Sequence, residues 1–155
     1  LNAELMESEL SVDAPTERVE SVRTIKRTSA AMGRLISDLL DVASIDAGKL
    51  ELVRDVGHLT DVVTATAEAF RSVAAQKAIT ISVASRTTCP PALFDEQRIL
   101  QVLANLVGNA IKFTPAGGRI AISLERDGDA LQVSVADTGI GIAKNQLERI
   151  FERFT

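Results

Sequence analysis

Asn105-Leu-Val-Gly-Asn109-Ala-Ile-Lys112-Phe-Thr-Pro-Ala-Gly117-Gly118 is the stretch on which the fold turns. It closes a helix predicted to start at Asp95, with Ile99, Val102, Leu103, Leu106, Val107, Ala110 and Ile111 recurring at threes and fours as a core stripe. Asp95 is a residue type that caps a helix start, because its carboxylate accepts from the unpaired N–H groups of the first turn. Asn105, Asn109 and Lys112 interrupt the apolar text, and offsets of four and three put them on one face opposite the stripe. Asn is a poor helix former, so two of them one turn apart in a helix interior are expected to face water or a ligand. An amide oxygen is a hard, neutral donor suited to Mg²⁺, and an ammonium one turn further on suits phosphate. A polar face that merely meets solvent is the alternative that spacing leaves open.

Downstream, Gly117-Gly118 turns the chain into the alternating run Ile120, Ile122, Leu124. Asp127-Gly128-Asp129 is a hairpin signal, and Leu131, Val133 and Val135 form the returning strand. That strand ends on Asp137-Thr138-Gly139-Ile140-Gly141, an acid followed by two glycines that allow close backbone approach. A carboxylate at the bottom of a pocket can accept a hydrogen bond from the exocyclic amino group of adenine, although such a turn by itself is common. The Gly-x-Gly is no dinucleotide fingerprint, since no third glycine and no ribose-binding acid follow in a βαβ unit. A last helix is predicted from near Asn145 to the end.

Upstream, Leu59, Val62, Val63, Thr66, Phe70, Val73 and Ala74 mark another amphipathic helix, and Ile79, Ile81 and Val83 a half-buried strand. Lys49 to Val53 alternates like a short strand. Strands on one side and helices on the other make an α+β sandwich over residues 48–155. Residues 1–47 read differently. From Thr16 to Ala47 one long helix carries a continuous stripe through Val19, Val22, Ile25, Met32, Leu35, Ile36, Leu39, Leu40, Val42, Ala43 and Ile45, closed by Gly48. Leu1, Leu5, Met6 and Leu10 have helical spacing too, before a break at Ser11 to Pro15, with Asp13 as a cap for the long helix. A helical hairpin this thin cannot bury its own stripe, so pairing with a second copy into a four-helix bundle is expected.

Composition narrows the function classes. A net charge of −4 gives no bulk reason to seek nucleic acid or an anionic membrane. The absence of Trp and Tyr argues against a base-stacking platform. The lone cysteine, Cys89, excludes an internal disulfide and suits a reducing interior. No apolar stretch reaches membrane-spanning length, so a cytoplasmic location is expected, with any membrane anchor outside these residues.

The motifs together resemble one family, the sensor histidine kinases of two-component systems. Asn105 to Gly118 is similar to their N box, Asp137-Thr-Gly-Ile-Gly141-Ile to their G1 box, and Phe151-Glu-Arg-Phe154 to their F box. Leu39-Leu-Asp-Val-Ala-Ser-Ile-Asp-Ala-Gly-Lys-Leu resembles the passage from their dimerisation hairpin into the ATP-binding catalytic domain of the GHKL type. The resemblance implies ATP and Mg²⁺ as cofactors, with Asn109 on Mg²⁺ and Asn105 lining the triphosphate site. It implies that Lys112 contacts phosphate, Asp137 reads the adenine amino group, and Gly139 and Gly141 shape that pocket's wall. Phe151 and Phe154 would anchor a lid, and Phe113 would pack near the base or in the core. Partners implied are a second copy of the chain and a response-regulator receiver domain.

Gyrase-type ATPases of the same superfamily carry a glutamate where this chain has Asn105. An amide cannot take a proton near neutral pH, so phosphoryl transfer to an external nucleophile is expected rather than hydrolysis. In the family that nucleophile is a histidine in a His-Asp/Glu-x-x-x-Pro pattern on the first hairpin helix, and the pattern is absent here. The single histidine, His58, lies beside the start of a catalytic-domain helix and is assigned a capping or surface role. The acceptor is therefore expected before Leu1, and a second glycine-rich box after Thr155, so that these residues alone would not autophosphorylate. A dimerising nucleotide-binding module without catalysis, or a degenerate kinase, is the alternative function.

Overall fold

The computed structural model describes residues 16–85 and 89–150, which fall into two compact units meeting between Glu51 and Leu52. The expectations placed on Leu1 to Pro15 and on Phe151 and Phe154 lie outside the described residues.

The first unit is the long helix α1 (Thr16–Asp46). It stops through a Schellman arrangement: Gly48 takes φ +64, its N–H donates to the Ile45 carbonyl, and the Lys49 N–H reaches back to the Ser44 carbonyl. Glycine is suited to that left-handed position because it has no Cβ to clash. Of the stripe, Ile25, Met32, Ile36, Leu39, Leu40 and Ile45 are all more than half exposed. The expected strand over Lys49 to Val53 does not form, since its alternation finds no partner strand there.

The second unit begins with β1 (Asp55–Gly57), continues through α2 (Leu59–Gln76), β2 (Thr80–Ser85), β3 (Ala92–Phe94) and α3 (Glu96–Phe113), and returns as the hairpin β4 (Arg119–Asp127) and β5 (Ala130–Asp137). The main sheet has the order β2-β4-β5, with β2 parallel and β5 antiparallel to β4; β1 and β3 form a separate antiparallel pair. Of the predicted final helix, the described part is a single 3₁₀ turn over Lys144–Gln146 followed by turns to Ile150, and the rest lies outside the described residues.

One face of the three-stranded sheet carries the core. Ile120, Ile122 and Leu124 alternate inward from β4 and pack with Val62, Val63 and Ala67 of α2 and Leu103, Val107 and Ile111 of α3. Period two on the strand and period 3.6 on the helices meet here, as expected of an α+β layer. Two members of the predicted stripe on α3 do not join it: Val102 and Leu106 are 52% and 46% exposed. The buried arc of α3 is narrower than its apolar sequence, because a single sheet face covers only one side of the helix. Its start is capped as expected, with Asp95 Oδ1 accepting from Arg98 N at 3.0 Å. The other carboxylate oxygen accepts from Val53 N at 2.9 Å, tying the entry of the unit to the same cap.

Candidate functional site

The exposed side of α3 holds Asn105, Asn109 and Lys112 together with Val102, Leu106 and Phe113, so the polar face predicted from spacing forms. Lys112 Nζ lies 4.9 Å from the centroid of the Phe113 ring, a cation–π contact that leaves the ammonium in an exposed position. Beyond Phe113 the helix ends at Thr114, whose N–H closes on the Ala110 carbonyl. Thr114 is 1% exposed, and its hydroxyl oxygen has no hydrogen-bond partner among the described residues.

The acid turn is held against this helix end by the main chain. The hairpin register pairs Ile120 with Asp137, and Thr138 extends it: its N–H donates to the Arg119 carbonyl, while its Oγ1 accepts from Arg119 N at 3.0 Å. Asp137 Oδ1 then accepts from Gly139 N at 2.7 Å, a local turn set by the carboxylate itself. The next N–H, that of Ile140, donates to the Phe113 carbonyl at 3.4 Å. Gly139 is needed at this crossing: a Cβ there would meet Asp137 Oδ1 at 2.5 Å and the Phe113 carbonyl oxygen at 2.7 Å. Gly141 serves differently, by adopting φ +70 in open space. The stretch ending in Lys112-Phe113 and the stretch beginning at Asp137 are thus joined.

Residues 94–155 match the family described as histidine kinase-, DNA gyrase B- and HSP90-like ATPases. The virulence sensor protein BvgS of Bordetella pertussis is 35% identical over an alignment that covers all of this chain and 13% of that protein. The non-motile and phage-resistance protein of Caulobacter vibrioides is 40% identical over 77% of this chain and 15% of its own length. Full-length ShkA, solved in complex with AMPPNP, superposes with a TM-score of 0.78 at 30% identity, over 97% of this chain and 32% of that one. The chain belongs to the sensor histidine kinases.

This histidine kinase chain spans between 9% and 31% of the length of such curated relatives as hybrid signal transduction histidine kinase D of Dictyostelium discoideum and SasA of Rippkaea orientalis. Its second unit has the mixed helix-and-sheet fold of a GHKL-type ATPase, as the sequence led us to expect. The donor set fits a metal-bound nucleotide in chemical type: two amides on one exposed face, an ammonium one turn on, and a carboxylate on the turn gripped by the same helix. Among the described residues no group of three or more His, Cys, Asp or Glu forms an alternative metal cluster. His58 precedes α2 at its N-cap position, but its side chain makes no capping bond and is exposed, so of the two expected roles only the surface one holds.

Two contributors escaped the sequence reading. Thr138 doubles the last rung of the hairpin, a role hidden in an ordinary-looking turn. Lys77, at the far end of α2, donates from Nζ to the carbonyls at the end of α3. No local pattern links residues that are 34 to 37 positions apart.

Proposed function

We propose that this chain is the core of an ATP-dependent protein histidine kinase, with residues 48–155 as ATP-binding catalytic domain and residues 1–47 as a dimerisation hairpin. The observation that carries the proposal is the main-chain junction of Phe113 with Ile140, which joins the end of the Asn105–Lys112 helix to the Asp137 turn. Asn109 holds Mg²⁺ through its amide oxygen, Asn105 lines the triphosphate, and Lys112 balances phosphate charge. Asp137 accepts from the adenine amino group, a contact that a purine lacking that donor could not make. Gly139 and Gly141 keep side chains out of the purine wall. When bound, Mg–ATP supplies the phosphoryl group, and the protein's part is orientation and charge neutralisation. With an amide at position 105, no carboxylate is available there to activate water, which favours a histidine acceptor on the parent protein's dimerisation helix and then a response-regulator aspartate. The AMPPNP bound to ShkA supports nucleotide binding at this fold.

The test uses the full-length protein, titrated with Mg–ATP by calorimetry and assayed for acid-labile, base-stable phosphoryl incorporation. Asn109→Ala and Asp137→Asn are each expected to weaken nucleotide binding at least tenfold. Parental affinity in both variants would remove the site assignment. Normal binding with no acid-labile phosphate under any condition would instead favour a non-catalytic nucleotide module.

A further inference from the structure

The last turn of α3 ends in four successive carbonyls, and the structure divides them between two partners. Lys77 Nζ donates to the carbonyls of Ile111 at 2.7 Å, Thr114 at 2.9 Å and Lys112 at 3.3 Å. The remaining one, that of Phe113, accepts from Ile140 N of the acid turn. A helix end leaves carbonyls without intrahelical donors, and an ammonium has three N–H groups to offer. A cation is also favoured at the negative end of the helix dipole. Here the cation comes from the end of α2 rather than from α3 itself.

The position of Lys77 is itself set by the main chain. Its N–H closes on the Ala74 carbonyl, and its own carbonyl accepts from Gly117 N at 3.1 Å. Ala78 follows at φ +53, a left-handed conformation uncommon for a residue with a Cβ, and Ile79 N returns to the Ala74 carbonyl. Lys77 therefore holds the Pro115–Gly118 turn with its backbone and the end of α3 with its side chain.

We propose that Lys77 is a positioning residue for the nucleotide site. By fixing the carbonyls on either side of Phe113, it directs the Phe113 carbonyl at Ile140. That sets the register of the Asp137 turn against the helix bearing Asn109 and Lys112. This inference rests on the nucleotide-binding reading of the site. A lysine that only stabilised the fold would lower the melting temperature and leave nucleotide recognition intact in the folded protein. A positioning lysine also changes recognition, because the carboxylate that selects the base moves relative to the groups that hold the phosphates.

The experiment compares full-length parent, Lys77→Met and Lys77→Arg for melting temperature and for affinity to Mg–ATP and Mg–GTP, well below each protein's melting point. Lys77→Met keeps the aliphatic stem and is expected to bind Mg–ATP about tenfold more weakly, with a narrowed preference for ATP over GTP. Lys77→Arg keeps the charge, but its planar fork cannot reproduce the three-carbonyl contact. It is expected to melt near the parent and still lose several-fold in ATP preference, which keeps the test decisive if Lys77→Met does not fold. In a background in which Cys89 and every other cysteine of the full-length protein are replaced by Ala, Lys77→Cys alkylated to an aminoethyl thioether is expected to recover affinity and preference together. ATP affinity and preference within twofold of the parent in Lys77→Arg, or in a folded Lys77→Met, would overturn the proposal while leaving the nucleotide site standing. A parent protein that binds no Mg–ATP would overturn the site itself, and this inference with it.

Discussion

Gly139 and Gly141 are two positions apart, yet substitution should affect them for different reasons. At Gly139 an added methyl collides with a carboxylate oxygen and with the backbone of the neighbouring helix end, neither of which can swing aside as a long side chain could. Gly139→Ala is therefore expected to break the Phe113–Ile140 contact and reduce Mg–ATP affinity at least tenfold. Gly141→Ala meets open space and bears only the left-handed backbone cost of about 1 kcal/mol. Paired calorimetric titrations check this; equal losses would show that the close approach at Gly139 does not matter. The glycines themselves were legible in the sequence, as was the face shared by Asn105, Asn109 and Lys112, because helical spacing alone places side chains around an axis. Lys77 was not. A lysine at a helix end reads as a solvated charge, and its contact with the end of α3 exists only once the chain has folded.

The elements differ in how clearly their sequences announce them. Helix α3 and the hairpin β4–β5 are long enough for their periods to show, and Asp95 and Gly128 stand at the expected boundaries, the latter at φ +59 in a two-residue turn. The three-residue strands β1 and β3 were both missed, because a pair that short has no period to recognise. Val56 and Leu93, paired across it, are 74% and 63% exposed, so burial gives no signal there either. The cap of α3 carries a pH dependence. The hydrogen bond from Arg98 N holds the Asp95 carboxyl below its ordinary 3.8, reinforced by Val53 N and by the Arg98 charge, while partial burial opposes the shift. A depressed folded-state value contributes stability that is present above the unfolded value and disappears as pH falls through the folded one. Denaturation midpoints are thus expected to fall more steeply below about pH 3.8 in the parent than in Asp95→Asn, with the two profiles parallel above it. Parallel profiles throughout would mean that the cap does not titrate with folding.

For the whole molecule, the contrast between the two units is one of burial. The second unit has a core with Val107 and Ile120 at 0% exposure, whereas α1 leaves Leu39 and Leu40 at 59% and 63%. An apolar stripe of that length is unfavourable in water at about 25 cal/mol per Å². A second copy, as proposed, would cover it. Leu39→Asp places a charge in that stripe and is expected to convert dimer to monomer in sedimentation at micromolar concentration, with nucleotide affinity unchanged. Dimers that persist would put the interface elsewhere. The arc of α3 that stays exposed was not legible in the sequence. Val102 and Leu106 look like core residues until the sheet's single covered face is known.

The hairpin also separates chemistry from access. Its register runs from Asp127 opposite Ala130 at the tip to Ile120 opposite Asp137 at the base, which sets the tip roughly 24 Å from the acid turn at about 3.4 Å per residue. The Asp129 side chain at that tip stands fully in solvent. A fluorophore or spin label attached there would sit remote from the proposed nucleotide site, so it could report on the second unit while leaving nucleotide affinity undisturbed.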